Sequence, residues 1–540
     1  MPEPPRNFKV TAPPPSAQSR LEGQVVRALG SIGAATLASR VLGFVRDMVV
    51  ALVFGAGPVT DAFFVAFRIP NILRRLLAEG ALSTAVIPVF TDYFVNRPRE
   101  ESLRMLRGVF AAALLALGAA TVLGVLGAPW ILGVIAPGFA ADPEKFALTV
   151  RLTRWLFPFI TLVALWAMAG GLLNSLHRFG APALGPVVLN VIVIAGCLWI
   201  APHISPPVYG VAAAVMIGGA AQLLMQVPLL MKLGFRWRWV WRNPGAGQAL
   251  RLLVPRIAGT AVYQADVFFV TILASLPVAG EGAVAAMYFA NRLIQLPLAL
   301  FATSSAQASL PALAEQAAVQ DFKKFQETVA GVLRMVVFET IPAAVGLVVL
   351  ARPIVQVCFQ HGAFTAHSTL LTYRALGCMA LGLLGYAASK ILTSACYALH
   401  DTRTPVRLAF EALLINIALA LALLQPLGVS GLALATAISS TLNSFRLLRH
   451  LERRLGMPVA VGLAGPALRV CAAALVMGGA AWIGWPLAQL VLPPSAALAL
   501  VIVGSLVVYG AGCWLARVPQ MMVLSQWFAA RLTPRRLQVE

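Results

Sequence analysis

The chain has 540 residues, 59% of them hydrophobic and 11% charged, with a mean hydropathy of +0.83 and a formal net charge of +21. A soluble globular chain carries about a quarter charged residues, so the composition excludes a soluble domain and points to an all-α polytopic membrane protein. The basic excess fits loops that collect Lys and Arg on the cytoplasmic side. No basic patch with interleaved aromatics stands outside the expected loops, so nucleic acid is set aside as a partner.

Residues 1–22 are proline-rich and lack an apolar run, which predicts a disordered cytoplasmic tail. No hydrophobic region with a small-residue cleavage site follows it, as a signal peptide would require. Fourteen spans are then expected, near 28–54, 60–80, 107–130, 149–173, 183–201, 209–231, 250–277, 283–306, 329–351, 370–397, 406–424, 430–449, 465–487 and 494–516. Basic residues mark every even-numbered exit: Arg97, Arg99, Arg104 and Arg107 after span 2, Arg178 after span 4, and Lys232, Arg236, Arg238 and Arg242 after span 6. Lys323 and Lys324, Arg403 and Arg407, and Arg449, Arg453 and Arg454 continue the series, and Arg517 to Arg536 end it. The alternate loops are nearly free of basic residues, with Lys145 the main exception. Both termini are therefore expected in the cytoplasm. The stretch 81–96 reads as a bent extension of span 2, with Pro70 and Pro88 permitting kinks.

An internal repeat recurs at an offset of about 221 to 224 residues. Gly210-Val-Ala-Ala-Ala-Val-Met-Ile217 matches Gly431-Leu-Ala-Leu-Ala-Thr-Ala-Ile438, and Ala66-Phe-Arg-Ile69 matches Ala290-Asn-Arg-Leu293. Two parallel six-helix lobes follow, 23–242 (spans 1–6) and 243–455 (spans 7–12), with 456–540 holding spans 13 and 14 and a cytoplasmic C-terminal tail. Paired lobes of this kind enclose a site near the midplane.

Span 2 carries Asp61, Arg68, Arg74, Arg75 and Glu79, and helical periodicity puts Asp61, Arg68, Arg75 and Glu79 on one stripe. Each arginine at membrane depth costs about 2.5–3.5 kcal/mol, so the stripe must face other helices or a water-filled cavity. Span 1 adds Arg40, Arg46 and Asp47, with the small Gly43 on the face of Arg40 and Asp47. The repeat sets Arg292 where Arg68 stands. Excess guanidinium groups suit an anion, and their forks match phosphate oxygens. Asp47, Asp61 and Glu79 are expected to hold the arginines in place. A weaker cluster, Asp266, Asn416 and Thr436, offers oxygens for a monovalent cation or a proton; helix-to-helix packing is the competing role.

The six cysteines are scattered without a Cys-x-x-Cys pair, and no His, Cys, Asp or Glu set has metal-ligand spacing. Neither a disulfide nor a metal site is expected. No P-loop, His-Glu-x-x-His or Gly-x-Ser-x-Gly is present, so an enzyme is not expected and catalytic residues are entered as none.

Ser39-Arg-Val-Leu-Gly-Phe-Val-Arg-Asp47, Phe54-Gly-Ala-Gly57, Thr60-Asp-Ala-Phe-Phe64, Leu73-Arg-Arg75 and Ala78-Glu-Gly80 resemble the signature of the MurJ (MviN) family. Tyr288-Phe-Ala-Asn-Arg-Leu293, Phe359-Gln-His-Gly-Ala-Phe-Thr365 and Tyr397-Ala-Leu-His-Asp-Thr-Arg-Thr-Pro405 extend the resemblance over nearly the whole chain after residue 22. The family belongs to the multidrug/oligosaccharidyl-lipid/polysaccharide exporter superfamily. The resemblance implies a flippase for lipid II, the undecaprenyl-diphosphate-linked peptidoglycan precursor, in the bacterial cytoplasmic (inner) membrane. It implies alternating access through fourteen helices, and by motif position it implies transport roles for Arg40, Arg46, Asp47, Asp61, Arg68, Arg74, Arg75, Glu79 and Arg292. The chain departs from the family pattern at Ala299 and Ala302, where glycines are frequent, and around Asp266 and Ala420 of the cation site.

The partners expected are lipid II, membrane lipids and other cell-wall synthesis proteins, around a monomeric chain. No cofactor is expected; the driving force would be membrane potential or a monovalent cation. The alternatives are an exporter of another lipid-linked oligosaccharide or small molecule and, from a different class, a membrane glycosyltransferase or a scaffold for wall synthesis. Cationic drugs would want a carboxylate-rich cavity, which counts against drug export.

Overall fold

The computed structural model describes residues 15–74, 90–176, 178–240, 264–460, 462–523 and 525, and the regular structure of these residues is helical throughout. Long apolar runs dictate this, because a helix satisfies its backbone polar groups internally where lipid offers no partner. In chain order come α1 (Pro15–Phe54), α2 (Pro58–Arg74), α3 (90–96), α4 (Arg99–Leu126), α5 (Ala128–Ile135), α6 (Pro143–Leu156), α7 (Phe159–Ser175), α8 (Gly180–Ala195) and α9 (Val208–Lys232). There follow α10 (Gln264–Ser275), α11 (Ala283–Pro297), α12 (Ser304–Ala318), α13 (Phe322–Val349), α14 (Ala351–Phe359), α15 (Ala366–Leu381), α16 (Leu383–Ala398), α17 (Arg403–Leu427), α18 (Val429–Leu455), α19 (Ala464–Gln489) and α20 (Pro494–Leu515). A π-helical turn at Leu298–Thr303 joins α11 to α12 after Pro297.

Helix α1 begins at Pro15, inside the stretch expected as a tail. Proline is tolerated in the first helical turn, and no breaker stands between it and the apolar run. Among the described residues, nine helices are long and apolar enough to cross a membrane. The count becomes ten if α15 and α16, bent by 47°, form one span. Helices α1, α2 and α18 fall outside that set; α1 and α2 carry the polar residues considered below. Of the expected extension at 81–96, residues 81–89 (with Pro88) lie outside the described residues, and α3 occupies 90–96.

Helices α1, α2, α4 and α6–α9 pack on one another, as do α11–α13 and α15–α18. The last pair packs against α13, where Tyr509 Oη donates to the Phe338 carbonyl at 2.6 Å. Large apolar side chains on the outer surface, such as Leu123, Trp199 and Trp482, are more than two-thirds exposed, as lipid-facing positions should be. At the other extreme, Phe159, Phe289, Phe325 and Phe359 are fully buried.

The turn between α16 and α17 is tied to the end of α18. His450 Nε2 lies 2.9 Å and Arg454 Nη1 3.0 Å from Asp401 Oδ2, while the Thr404 N–H donates to Oδ1 at 3.0 Å. Partial burial pushes the Asp401 carboxyl up, but the Thr404 and His450 hydrogen bonds and the Arg454 charge outweigh it and hold its pKa at about 2.

Candidate functional site

Asp47, 1% exposed, is the centre of a polar cluster built from both helix groups. Its Oδ1 accepts from Arg46 Nη2 at 2.7 Å and from Tyr288 Oη at 3.2 Å. Its Oδ2 lies 2.7 Å from Arg292 Nε, an ion pair lacking the alignment of a hydrogen bond. Arg46 Nη1 also donates to Asn190 Oδ1 at 3.1 Å, and Asn190 Nδ2 donates to the Ser39 carbonyl at 3.1 Å. Three helices thus converge: α1 supplies Arg46 and Asp47, α8 supplies Asn190, and α11 supplies Tyr288 and Arg292. Gly43 permits the approach, since a Cβ there would stand 2.5 Å from Arg292 Nη2.

Above the cluster opens a cavity of about 240 Å³ lined by Arg40, Arg46, Arg292, Asn71, Asn291 and Gln295, among others, with no carboxylate in its wall. Three guanidinium groups line it, and the one carboxylate beside them, Asp47, pairs with Arg46 and Arg292 alone, leaving a surplus of two positive charges. A second cavity of about 150 Å³ adjoins it through Phe67, Asn71, Tyr288 and Asn291, and holds Arg68, Asp266 and Thr436 in its wall. Asn416 Nδ2 donates to Asp266 Oδ1 at 2.6 Å, while Asn416 Oδ1 is buried without a hydrogen-bond partner among the described residues. Thr436 Oγ1 bonds its own helix at Leu432. Among the described residues no group of three or more His, Cys, Asp or Glu could hold a metal ion.

Asp61 does something other than hold arginines. Its Oδ2 pairs with Lys145 Nζ at 2.8 Å, and it accepts the backbone N–H groups of Gly282 (3.1 Å) and Ala285 (2.9 Å). The carboxylate caps the N-terminus of α11 from across the molecule, where unsatisfied N–H groups and the helix dipole favour negative charge. The main basic exception of the alternate loops is thereby neutralised: Lys145 lies against Asp61 and over the Phe139 ring. Arg75 and Glu79 lie outside the described residues, as does the side chain of Arg74.

The end of the molecule that carries Asp61 is sealed. Ser368 Oγ donates to the Ala56 carbonyl at 3.2 Å, and the Ala363 N–H donates to the Leu52 carbonyl at 2.9 Å. Phe44, Phe64, Phe289, Phe359 and Phe364 form one aromatic plug with centroid spacings of 5.0–6.0 Å. Gly55 and Gly282 hold positive φ angles of 67° and 83°, and a Cβ at either would strike a backbone carbonyl, that of Ala363 or of Ala56 respectively. The guanidinium-lined cavity opens toward the opposite end, where Arg40 is exposed.

Asn190 and Tyr288 belong to the cluster, and sequence reasoning did not single them out. Asn190 had a signal, a lone amide in an apolar span; Tyr288 stood inside a recognised motif without a role.

The chain matches the family profile described as "Lipid II flippase MurJ" over residues 50–498. It is 35% identical over 460 residues to a lipid II flippase MurJ of Burkholderia cenocepacia, covering 84% of this chain and 89% of that one. A probable lipid II flippase MurJ of Vibrio cholerae is 36% identical over 486 residues, covering 85% and 90%. Among solved structures, a lipid II flippase MurJ in an inward closed conformation superposes with a TM-score of 0.76 at 25% identity, covering 90% of this chain and 98% of that one. An inward-facing multidrug MATE transporter shares the fold at 14% identity, with a TM-score of 0.66.

Proposed function

Since the chain belongs to the MurJ family of lipid II flippases, we propose that its surplus-arginine cavity holds the diphosphate of lipid II while the lipid crosses the bacterial inner membrane. The protein is a transporter, not an enzyme, and lipid II is its substrate. One observation carries the assignment of the site: Arg40, Arg46 and Arg292, from both helix groups, share a membrane-depth cavity with no carboxylate in its wall. A diphosphate would meet Arg40 and Arg292 first and compete with Asp47 for Arg292, whose ion pair lacks hydrogen-bond alignment. Charge-assisted bonds of this kind are the strong ones.

Fourteen spans with cytoplasmic termini complete the reading: α1, α2, α10 and α18 join the ten apolar spans. Equivalent tight contacts support two parallel lobes. Gly210 sits against Ala201 as Gly431 sits against Leu423, each at the start of the last helix of its lobe. In this orientation the sealed end is periplasmic and the cavity faces the cytoplasm, where the substrate is made. Rocking of the lobes about the cavity would open the seal and deliver the headgroup outside. Arg68 faces the same route from the adjoining cavity; the sequence puts Arg74, Arg75 and Glu79 at the cytoplasmic end of span 2.

For coupling, Asp266, Asn416 and Thr436 offer a carboxylate, an orphaned amide oxygen and a hydroxyl, a donor set that suits a monovalent cation. A sodium-dependent rise in thermal stability that Asp266→Ala abolishes is the expected sign.

The test of the cavity is complementation of a flippase-depleted bacterium by Arg40→Ala and Arg292→Ala at matched protein levels. Growth failure is expected for Arg292→Ala, with translocation of labelled lipid II in vesicles down about tenfold or more. Wild-type growth with both variants would remove the diphosphate from this cavity.

A further inference from the structure

The connection leaving α9 is rich in charge and aromatic surface that transport leaves unused. It reads Phe235-Arg-Trp-Arg-Trp-Val240, alternating guanidinium and aromatic groups. Phe235 is buried, its ring 5.4 Å from that of Phe110 in α4. Trp237 and Trp239 are 44% and 48% exposed, and their rings meet edge to face at 5.5 Å. Contact between residues two apart places both indoles on one side of the strap. Arg236 and Arg238, between and beside them, are exposed, and among the described residues neither pairs with a carboxylate.

The strap is pinned. The Phe235 N–H donates to the Leu230 carbonyl at 3.0 Å and Gly234 N–H to Met231 at 2.9 Å, the reverse turn that ends a helix. Arg99 Nη2 donates to the Leu233 carbonyl at 3.1 Å and Arg107 Nε to the Arg236 carbonyl at 2.9 Å. Two cations of α4 are thus used to fix backbone, and the strap's own cations are left facing outward. Half-exposed indoles are favoured where an apolar layer meets water, and guanidinium groups beside them stand at the level of lipid phosphates.

We propose that the 235–240 strap is a binding site for anionic phospholipid headgroups, with Trp237 and Trp239 in the interfacial layer and Arg236 and Arg238 on the phosphates. The orientation proposed above makes the leaflet cytoplasmic, where basic segments near a membrane gain about tenfold in binding per one or two residues. The occupant is a lipid surface because the two features sit together at the membrane end of α9: apolar rings at half exposure, and positive charge without acidic partners among the described residues. The strap lies on the path from span 6 to span 7, so a lipid clamp there would tie the connection between the lobes to the membrane.

Native mass spectrometry of the full-length protein in detergent, titrated with phosphatidylglycerol or phosphatidylcholine, tests this. The first phosphatidylglycerol is expected to bind about tenfold tighter than phosphatidylcholine. The R236E/R238E variant should bring the two lipids within about twofold of each other while keeping the wild-type melting midpoint. W237A/W239A should weaken both lipids. A wild-type preference retained by R236E/R238E, as a strap serving a soluble protein partner would give, overturns the proposal; so does a wild type that does not prefer the anionic lipid. Translocation of lipid II in phosphatidylcholine vesicles by R236E/R238E is read in parallel. Wild-type translocation there, whatever the lipid preference, keeps this proposal separate from the assignment of the transport site.

Discussion

Two aspartates, fourteen positions apart on neighbouring helices, are equally buried and do opposite things. Asp47 and Asp61 are each 1% exposed. Asp47 faces arginines from two helix groups at the edge of a cavity, and one of those contacts lacks hydrogen-bond alignment. Asp61 is enclosed by Lys145 and two backbone N–H groups, all well placed. Burial alone therefore does not distinguish a carboxylate at a cavity's edge from a latch. What distinguishes them is whether the partners are side chains that a ligand can draw away, or backbone that moves only with its helix.

The largest effect is expected from Asp47→Ala. Removing the shared carboxylate leaves Arg46 and Arg292 facing each other, and breaking a buried pair costs about 3–5 kcal/mol. A sharp fall in melting temperature in detergent, together with lost complementation, is the expected result. A variant of wild-type stability would mean that the arginines do not depend on Asp47, and the contrast would fail.

Asp61→Asn comes next. It keeps the size but discharges the partner of Lys145 and weakens the cap on α11, for a loss of about 2 kcal/mol. The protein should stay folded while the sealed end opens more often. Labelling of a cysteine at Ala56 (Ala56→Cys), a position buried in the sealed structure, in a cysteine-free background by an impermeant maleimide should rise several-fold. Unchanged labelling would show that the aromatic plug holds the seal without the latch.

Gly43→Ala sharpens the Asp47 side. The added Cβ displaces the end of the Arg292 side chain, which is flexible, so stability should change by less than about 1 kcal/mol. Lipid II binding should weaken several-fold in a direct binding measurement. The smallest effect calibrates the other two with a third aspartate, at the membrane-water boundary. Asp401 titrates below the ordinary carboxylate value, at about 2. Its contribution is present above the ordinary value of 3.8 and is lost as pH falls through about 2. Because its partners His450 and Arg454 are partly exposed, solvent screening limits it to about 1 kcal/mol or less. Acid unfolding followed to pH 2 should show Asp401→Asn less stable than the wild type by a constant amount above about pH 4, the two converging as pH falls to about 2.

Much of this was legible in the chain. Arg40, Arg46 and Arg292 could be grouped because charge at membrane depth has few places to go, and because the repeat placed Arg292 opposite the stripe of span 2. Asp61 was placed on the right stripe and given the wrong partners. Periodicity tells which face a residue occupies, but not that a helix from the other half of the chain begins beside it. Lys145 looked like an exception to the charge pattern for the same reason: its partner is 84 residues away. Asn190 was passed over because one amide in an apolar span usually serves helix packing. Its role depends on Arg46 turning toward α8, a side-chain direction that the sequence does not specify.

The seal has one further property. Around the Asp61 latch the two halves of the molecule meet at Gly55 and Gly282, each with a bare Cα against an opposing carbonyl. Such a joint has no side chain to trim, so shortening residues there cannot loosen it. It yields only to added atoms: a single methyl group at either glycine would act as a doorstop, holding ajar a door whose hinge and handle were untouched.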